Sequence, residues 1–414
     1  MASILQPKSQ TTVFLDQPPS CLEFCPEIRD HFVVGTYLLS ETKNESGDIQ
    51  QTKTGSLQLW KLDPNTNALS LVHRLALPYA VFDLHFHPRE KNKFAIVGST
   101  GLAALFTVPE DPTPAITQIW EKQIHEDTSI PALFLAWAPQ GWFPRPASDG
   151  FAVTFSDSRT TVFGTDGNIT DQSGIEEWGS FEARQMIEVW FVALAAIKQV
   201  PDTSEDIETT IPFMLTGNDF GSLHSRLFEN HCGQPNYDDD EPLGSVIVEY
   251  DDRARHHTAG VTAILPLDIP TVENAPIMLT GSYDEGLRVY HATSRGKVLA
   301  EQGLGGGVWR LQLLSTTESP GSDEGLERHF VVLASCMHAG TRVVRVTQKE
   351  QGQGPAEWDI QVLAEFTEHE SMNYASDVWK GASEYSDALQ ASSELLCVSS
   401  SFYDRRLCVW RVNV

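Results

Sequence analysis

Two stretches of the chain determine its fold, Leu279-Thr-Gly-Ser-Tyr-Asp-Glu-Gly-Leu-Arg-Val-Tyr290 and Val398-Ser-Ser-Ser-Phe-Tyr-Asp-Arg-Arg-Leu-Cys-Val-Trp410. Each contains a short apolar strand, a turn of small and acidic residues, and a second strand that ends in an aromatic residue. Apolar and polar residues alternate along these units, as they do in half-buried β-strands. The chain is therefore predicted to be an all-β protein made of repeated strand units.

Weaker copies of the unit bring the total to seven, and they lie at residues 55–60, 95–106, 152–163, 214–226 and 332–344. A single four-stranded unit cannot bury both of its faces, so neighbouring units must stack around an axis. The sequence thus predicts a seven-bladed β-propeller of the WD40 type, in which all 414 residues form one domain. A strand near residues 11–16 is expected to pair with the last blade, near 407–412, and so to close the ring.

The segments between strand units are polar, acidic or rich in glycine and proline. We expect them to be mobile surface insertions. They lie near residues 41–54, 199–210, 235–241, 316–325 and 349–357.

The chain is strongly acidic, with 56 Asp and Glu residues against 29 Lys and Arg residues and a net charge of −27. This charge disfavours a direct nucleic-acid partner and favours a cationic one, although acidity can also serve solubility alone. The six cysteines are scattered, which predicts buried free thiols and no zinc site. No signal peptide or membrane span is apparent, so we expect a cytoplasmic protein. The sequence indicates no cofactor and no set of metal ligands, and it does not decide whether a metal is needed.

The turn between the second and third strands of a blade holds Asp157, Asp284 and Asp404 in blades three, five and seven. A carboxylate there caps turn amides, which is a sufficient structural reason for its presence. In blade six the same position holds His338, and in blade four it holds Phe220. His338 is either a proton-transferring residue or a hydrogen-bonded turn histidine.

The sequence contains no Gly-x-Ser-x-Gly, His-Glu-x-x-His or phosphate-binding glycine motif. Unusual polar and aromatic residues instead occur at blade entrances and turns, which gather on one face of a propeller. Such a group can form a pocket, although Trp190 and Trp309 could equally pack between blades. The candidates are Glu188, Trp190, His257, Trp309, Arg310, His338, Tyr374, Asp377 and Tyr403.

Several motifs resemble the diphthine methylesterase family, over about residues 185–412. They are Thr280-Gly-Ser-Tyr-Asp-Glu285, Gly306-Gly-Val-Trp-Arg310, Ser335-Cys-Met-His-Ala-Gly340, Ser371-Met-Asn-Tyr-Ala-Ser-Asp377 and Ser401-Phe-Tyr-Asp404. The combination of Gly-Gly-Val-Trp-Arg with Cys-Met-His is specific to this resemblance. The chain departs from the pattern at Phe220, which replaces a turn Asp, and at Val378, which separates Asp377 from Trp379.

The resemblance implies a hydrolase that removes the methyl group from methylated diphthine on elongation factor 2. The substrate carries a trimethylammonium group, which favours aromatic faces and carboxylates. We expect His338 to activate water or a hydroxyl group, with Asp377 orienting His338, and either Arg310 or backbone amides to stabilise the oxyanion. Substrate binding is then assigned to a second set of residues, namely Glu188, His257, Trp309, Tyr374 and Tyr403.

The alternative to an enzyme is a non-enzymatic WD40 adaptor that recruits other enzymes of diphthamide biosynthesis. Most propellers of this type are scaffolds, and the turn aspartates suit that interpretation as well. In either case the expected partner is elongation factor 2, and the expected oligomeric state is a monomer.

Overall fold

The computed structural model is a ring of seven antiparallel sheets, which confirms the predicted seven-bladed propeller. From the channel outwards, the strands of blades one to three are β2 (Pro19–Phe24), β3 (His31–Thr36), β5 (Ile49–Asp63) and β6 (Ala68–Leu77); β7 (Val81–Phe86), β8 (Lys93–Gly98), β9 (Leu102–Thr107) and β10 (Thr117–Gln123); and β11 (Ala132–Trp137), β12 (Asp149–Phe155), β13 (Arg159–Thr165) and β14 (Glu176–Glu182). A 3₁₀ turn, Gln172–Gly174, precedes β14.

The remaining blades follow the same plan. Their strands are β15 (Val189–Lys198), β16 (Thr210–Asn218), β17 (Leu223–Phe228) and β18 (Val246–Asp251); β19 (Val261–Pro266), β20 (Ile277–Ser282), β21 (Gly286–His291) and β22 (Lys297–Gly303); β23 (Arg310–Pro320), β24 (Leu326–Ser335), β25 (Thr341–Glu350) and β26 (Glu357–Phe366); and β27 (Ala375–Val378), β28 (Glu394–Ser401), β29 (Arg406–Asn413) and β1 (Ser9–Phe14). The structure describes residues 3–43, 47–110, 113–198, 210–229, 242–320, 325–350, 354–381 and 394–414.

The innermost strands contact one another in sequence around the ring, from β2 through β7, β11, β15, β19 and β23 to β27, which contacts β2 again. Apolar side chains fill the space between adjacent blades. Leu279 and Val289 of blade five, for example, pack in one fully buried cluster with Val332 and Val344 of blade six. Because each blade buries its faces only against its neighbours, the hydrophobic effect stabilises the closed ring as a whole.

The first strand of the chain completes the last blade. β1 pairs antiparallel with β29, so that Thr12 lies opposite Cys408 and Phe14 opposite Arg406. The backbone N–H and the hydroxyl of Ser9 also donate to one carboxylate oxygen of Glu368, at 2.9 and 2.6 Å. This pairing covers the edge that β29 would otherwise expose.

Most of residues 41–54, which the sequence indicated as a loop insertion, form a β-hairpin. β4 (Leu38–Lys43) pairs with the first part of β5, from Leu38 opposite Thr54 to Lys43 opposite Ile49. Solvent reaches both faces of this hairpin, so its sequence lacks the apolar alternation of a half-buried strand.

The other predicted insertions fall largely outside the described residues. Residues 199–209 and 235–241 lie outside them, and Thr210 begins β16. Residues 316–320 belong to β23 and residues 349–350 to β25. Two long strand pairs therefore extend into segments that the sequence indicated as loops.

The turn aspartates brace their blades, as predicted. Asp284 accepts hydrogen bonds from the backbone N–H groups of Thr258 (2.9 Å) and Gly286 (3.0 Å) and forms an ion pair with Arg288 at 2.9 Å. In blade seven, Asp404 accepts from the N–H of Glu370 at 3.1 Å. Each carboxylate ties the turn after its second strand to the segment that enters the same blade.

All cysteines in the described part of the chain are free and buried, which agrees with the sequence prediction; they are Cys21, Cys25, Cys336, Cys397 and Cys408. Cys232 lies outside the described residues. Among the residues with described structure, no helix has the length and apolar character needed to cross a membrane.

Candidate functional site

Aromatic side chains line a cavity of about 540 Å³ at one mouth of the central channel. Its walls come from blades one to five and seven and from the Trp309 segment that enters blade six. The lining residues are Pro18, Ser20, Tyr37, Leu38, Leu39, Phe82, Leu133, Trp190, Tyr283, Trp309, Tyr374, Phe402, Tyr403 and Arg405. This cavity has the size and the largely apolar wall that are typical of small-molecule sites.

Trp309 is at the centre of the aromatic wall. Its ring centroid lies 5.7 Å from that of Trp190, 5.9 Å from Tyr283 and 5.0 Å from Tyr374. The rings of Tyr374 and Phe402 are in turn 5.5 Å apart. These separations are those of mutually packed aromatic pairs, so the wall is a continuous π surface with a fixed geometry.

Two equivalent positions of the blades supply these rings. Trp309 and Tyr374 directly precede the innermost strands β23 and β27. Tyr37, Tyr283 and Phe402 directly follow the Thr or Ser that ends the second strand of blades one, five and seven. Both positions open onto the same face, because the second strand ends where the antiparallel innermost strand begins.

Carboxylates stand behind the aromatic wall. The indole N–H of Trp190 donates to Asp219 at 2.7 Å, and the N–H of Asp219 donates to the backbone oxygen of Glu188 at 2.9 Å. Burial raises the pKa of Tyr283, and Asp219 and Glu188 add to this rise. The phenol therefore stays neutral, and these carboxylates add negative potential on the Trp190 side of the wall, which favours a cationic ligand there.

Below the aromatic cavity, a charged channel of about 240 Å³ runs into the ring, and Ser20 and Tyr374 line both spaces. A guanidinium nitrogen of Arg310 lies 3.5 Å from Asp83, and His85 Nε2 lies 2.9 Å from the other Asp83 oxygen. His85 Nδ1 lies 3.2 Å from Glu23. The channel thus holds a chain of alternating charges on the innermost strands of blades one, two and six.

In this row of four charged side chains, each charge is stabilised by the opposite charge next to it. Burial disfavours the charged form of His85, but Asp83 and Glu23 outweigh burial and raise the pKa of His85 to about 10. Burial likewise acts to raise the pKa of Asp83, yet His85 and Arg310 hold that pKa below its ordinary value. At neutral pH the channel therefore contains an imidazolium and an ionised Asp83 beside the Arg310 guanidinium.

Arg310 is held rigidly. Its guanidinium lies 4.7 Å from the ring centroids of both Phe134 and Trp309, and it donates to the backbone oxygens of Thr262 (3.3 Å) and Trp309 (2.9 Å). Cation–π contacts and hydrogen bonds to fixed acceptors lower the entropy that the side chain can lose on binding. The charge is therefore preorganised at the junction of cavity and channel.

The structure brings together most of the residues predicted to form a site. Trp309, Tyr374 and Tyr403 line the aromatic cavity, whereas Arg310 and Asp377 line the channel. Glu188 lies beside Trp190, behind the wall.

The predicted pair of His338 and Asp377 is not formed. His338 is exposed in the turn after β24; this turn is on the cavity face, since Met337 bridges to Asn373 next to Tyr374. Asp377 is buried and accepts hydrogen bonds from Phe24 N (2.7 Å), Gln312 Nε2 (2.6 Å) and its neighbour Val378 N (2.7 Å). Its oxygens join blades one, six and seven, so Asp377 does not orient His338.

His257 is also not where the sequence predicted it. Only 1% of its surface is exposed, and its Nε2 lies 2.9 Å from Thr280 Oγ1 within blade five. Burial, with Arg288 adding to it, lowers the pKa of His257 to about 3. His257 is a neutral structural residue, as is His369, whose Nε2 lies 2.8 Å from Ser399 Oγ in blade seven.

Sequence reasoning missed Glu23, Asp83 and His85 in the channel, and Tyr37, Tyr283 and Phe402 in the wall. The wall residues carry a signal, since each is an aromatic residue that directly follows the Thr or Ser at the end of a second strand. The channel residues carry a weaker one, because Glu23, Asp83 and His85 are charged or titratable residues within otherwise apolar strands.

No family model matches the chain. Diphthine methyltransferase of Schizosaccharomyces pombe is 24% identical over 408 residues, which are 98% of this chain and 97% of that protein. A human protein of the same name is 28% identical over 124 residues, 30% of this chain and 23% of the human one. Among solved structures, Chaetomium thermophilum Sqt1 bound to the N-terminus of ribosomal protein L10 is similar, with a TM-score of 0.54 and 12% identity over 95% of this chain and 86% of that one.

These findings define the protein in two respects. Seven four-stranded blades with braced turns and a closing N-terminal strand make it a WD40-type β-propeller with an aromatic cavity at one channel mouth. It is similar along nearly its whole length to the Schizosaccharomyces pombe protein named diphthine methyltransferase, and over 30% of its length to the human protein of that name, which confirms the relationship that its motifs indicated.

Proposed function

We propose that this protein hydrolyses the methyl ester of methylated diphthine on elongation factor 2 and releases methanol. The observation that carries the proposal is the aromatic cavity next to the Arg310 channel. In diphthine the trimethylammonium group and the carboxyl group share one carbon atom. A site for the esterified residue therefore needs an aromatic surface within a few ångströms of a fixed cation.

The aromatic wall meets the first requirement. A quaternary ammonium group cannot donate hydrogen bonds, so its recognition depends on π faces and on nearby negative charge. Trp309, Tyr374 and Tyr403 would contact the methyl groups, and Glu188 with Asp219 would add negative potential behind Trp190.

Arg310 meets the second requirement. Its guanidinium lies 4.7 Å from the Trp309 ring, so a ligand against the channel side of the wall would present its ester to that cation. Negative charge develops on the carbonyl oxygen when water adds to an ester, and a fixed cation lowers the barrier to this step.

The decisive experiment mixes the purified protein with elongation factor 2 that carries methylated diphthine, without any methyl donor. The factor should lose the mass of one methylene group, and one equivalent of methanol should appear. The protein denatured by heat serves as the control. Unchanged mass of the factor, or a mass gain that needs a methyl donor, would contradict the proposal.

A binding role without chemistry is the second candidate. It is favoured by one observation, namely that His338 and Asp377 do not form the expected catalytic pair. In that case the protein would bind the methylated factor through the cavity, and a third protein would be needed before any methanol is released. Adding the amidating enzyme of the pathway to the same assay distinguishes the two roles.

A further inference from the structure

We infer that Arg310, Asp83 and His85 form a carboxyl-binding and proton-donating site inside the central channel. In this site the two cations bind the ester carbonyl and then the product carboxylate, and His85 protonates the leaving methoxide. The inference rests on the proposed function and assigns the chemistry to residues other than His338 and Asp377.

The charges in the channel do more than brace the backbone. Asp83 accepts a hydrogen bond from the N–H of Leu135 at 3.4 Å, and Glu23 accepts one from the N–H of Phe86 at 3.2 Å. Asp83 also holds two cations in place, although its side chain is only 4% exposed. Burying charges is costly, and apolar side chains of similar volume would stabilise the ring at least as well. A chain of charges along an open channel, with the almost fully buried Asp83 at its centre, is therefore better explained by a ligand.

A second observation points to a ligand. Gln312 lines the same channel and donates its amide N–H to Asp377, but its Oε1 is buried and has no hydrogen-bond partner among the described residues. Such an acceptor is costly unless it is satisfied. It can accept a hydrogen bond from the water that attacks the ester.

The position of the site fits the chemistry of the substrate. Ser20 and Tyr374 line both the aromatic cavity and the channel, so the two spaces are adjacent. Trp309 contacts the cavity with its ring, and Arg310, the next residue, points its guanidinium to the channel. A trimethylammonium group against Trp309 and Tyr374 would thus place the carboxyl group, one carbon away, at the channel entrance.

Hydrolysis at this site consumes one water molecule and releases methanol and one proton. Water adds to the carbonyl carbon, and Arg310 stabilises the resulting oxyanion. The bond from that carbon to the methoxy oxygen then breaks, and the methoxide takes a proton from the His85 imidazolium to leave as methanol. Of the two protons from water, one restores His85, and the other goes to solvent as the carboxyl group ionises.

The environment of His85 suits a proton donor. Burial acts against its charge, but Asp83 and Glu23 more than compensate and raise its pKa to about 10. His85 is thus protonated before each turnover, and methoxide is basic enough to take the proton. The half-buried ring also lies 5.2 Å from Phe134, which limits its motion.

The experiment compares His85→Ala, His85→Gln and Arg310→Lys with a control variant, His329→Gln. His329 lies near the start of β24, the end of that strand away from the cavity, and it also has a carboxylate neighbour, Glu327, at 3.5 Å. Single-turnover methanol release from methylated elongation factor 2 should fall about 100-fold or more in the three channel variants, as is typical when a general acid or an oxyanion ligand is removed. Affinity for the methylated factor should change less than about threefold, because the aromatic wall is intact. The control should retain wild-type turnover.

Two further measurements separate a chemical role from a structural one. Imidazole in millimolar amounts should restore part of the turnover of His85→Ala but not of Arg310→Lys. The factor that carries unmethylated diphthine, which presents the free carboxylate, should bind the wild type more tightly than Arg310→Lys. Thermal unfolding of every variant identifies any that fail to fold. If His85→Ala is one of them, the turnover of the conservative variants His85→Gln and Arg310→Lys tests the inference instead.

The outcomes are distinguishable from failure of the proposed function. Wild-type turnover that survives both His85→Gln and Arg310→Lys would overturn the inference and leave the esterase proposal standing. Conversely, a wild type that binds the free carboxylate through Arg310 yet releases no methanol would overturn the esterase proposal and support only the binding half of the site.

Discussion

Replacement of Trp309 by alanine should weaken the binding of quaternary ammonium ligands about tenfold. The Trp309 ring lies 5.0–5.9 Å from three other rings of the wall, so its removal opens the centre of the π surface. A cation over an indole face gains roughly 0.5–2 kcal/mol. Since about 1.4 kcal/mol corresponds to a factor of ten, the expected loss is between about 2-fold and 30-fold.

The assay uses a soluble ligand pair that differs only in charge. Choline carries a trimethylammonium group, and 3,3-dimethylbutan-1-ol is its neutral analogue of nearly the same shape. Titration followed by nuclear magnetic resonance should show that wild type prefers choline and that Trp309→Ala loses this preference. Trp309→Phe keeps a π face and should have an intermediate affinity.

A matched control is Trp358→Ala, in the outermost strand of blade six. Trp358 is half-buried and stacks on Phe330, so its loss costs packing without touching the cavity. It should reduce thermal stability and leave the preference for choline unchanged. Equal affinity of wild type for choline and for the neutral analogue would refute the reasoning, because the cavity would then be merely apolar.

Two further predictions concern the fold. Deleting residues 1–14 removes β1, which pairs with β29 over Ser9–Phe14. Each backbone hydrogen bond contributes about 0.5–1.5 kcal/mol, so the deletion should lower the free energy of unfolding by several kcal/mol and expose an edge strand. Thermal unfolding and light scattering test this, and an unchanged melting temperature without aggregation would contradict it. Acid should destabilise the protein through His257 and His369, whose pKa values are lowered to about 3 and about 4 mainly by burial. The unfolded chain binds these two protons from about pH 6.5 downwards, whereas the folded chain does not. The free energy of unfolding should therefore fall by up to about 1.4 kcal/mol per pH unit and per histidine below about pH 6.5. Urea unfolding at several pH values measures this fall, which should be smaller in His369→Gln.

The propeller could be predicted because its signals are local. A strand, an acidic turn and a strand ending in an aromatic residue recur within about a dozen residues, and the aspartate of that turn caps amides of its own blade. The same locality explains why the hairpin at residues 41–54 was not predicted. A hairpin exposed on both faces has no buried side to impose alternation, so β4 and the start of β5 looked like a loop.

The site was only partly predictable, because its residues meet through the closure of the ring. Trp309 and Tyr374 stood out as aromatic residues at strand entrances, and the structure places both in the wall. Asp83 and Arg310 are 227 positions apart, and no local pattern indicates that they form an ion pair. The prediction for His257 was wrong because its contact is local. A histidine at a blade entrance contacts a hydroxyl group of its own blade, as His369 also does.

The strand that closes the ring also determines when the protein can finish folding during synthesis. Thr12 and its partner Cys408 are 396 positions apart. At about 5–20 residues per second, roughly 20–80 s of translation separate the emergence of β1 from that of the strand it needs. For that time β1 is an unpaired edge on a nascent chain, and a premature stop before β29 would leave both ends of the ring without a partner.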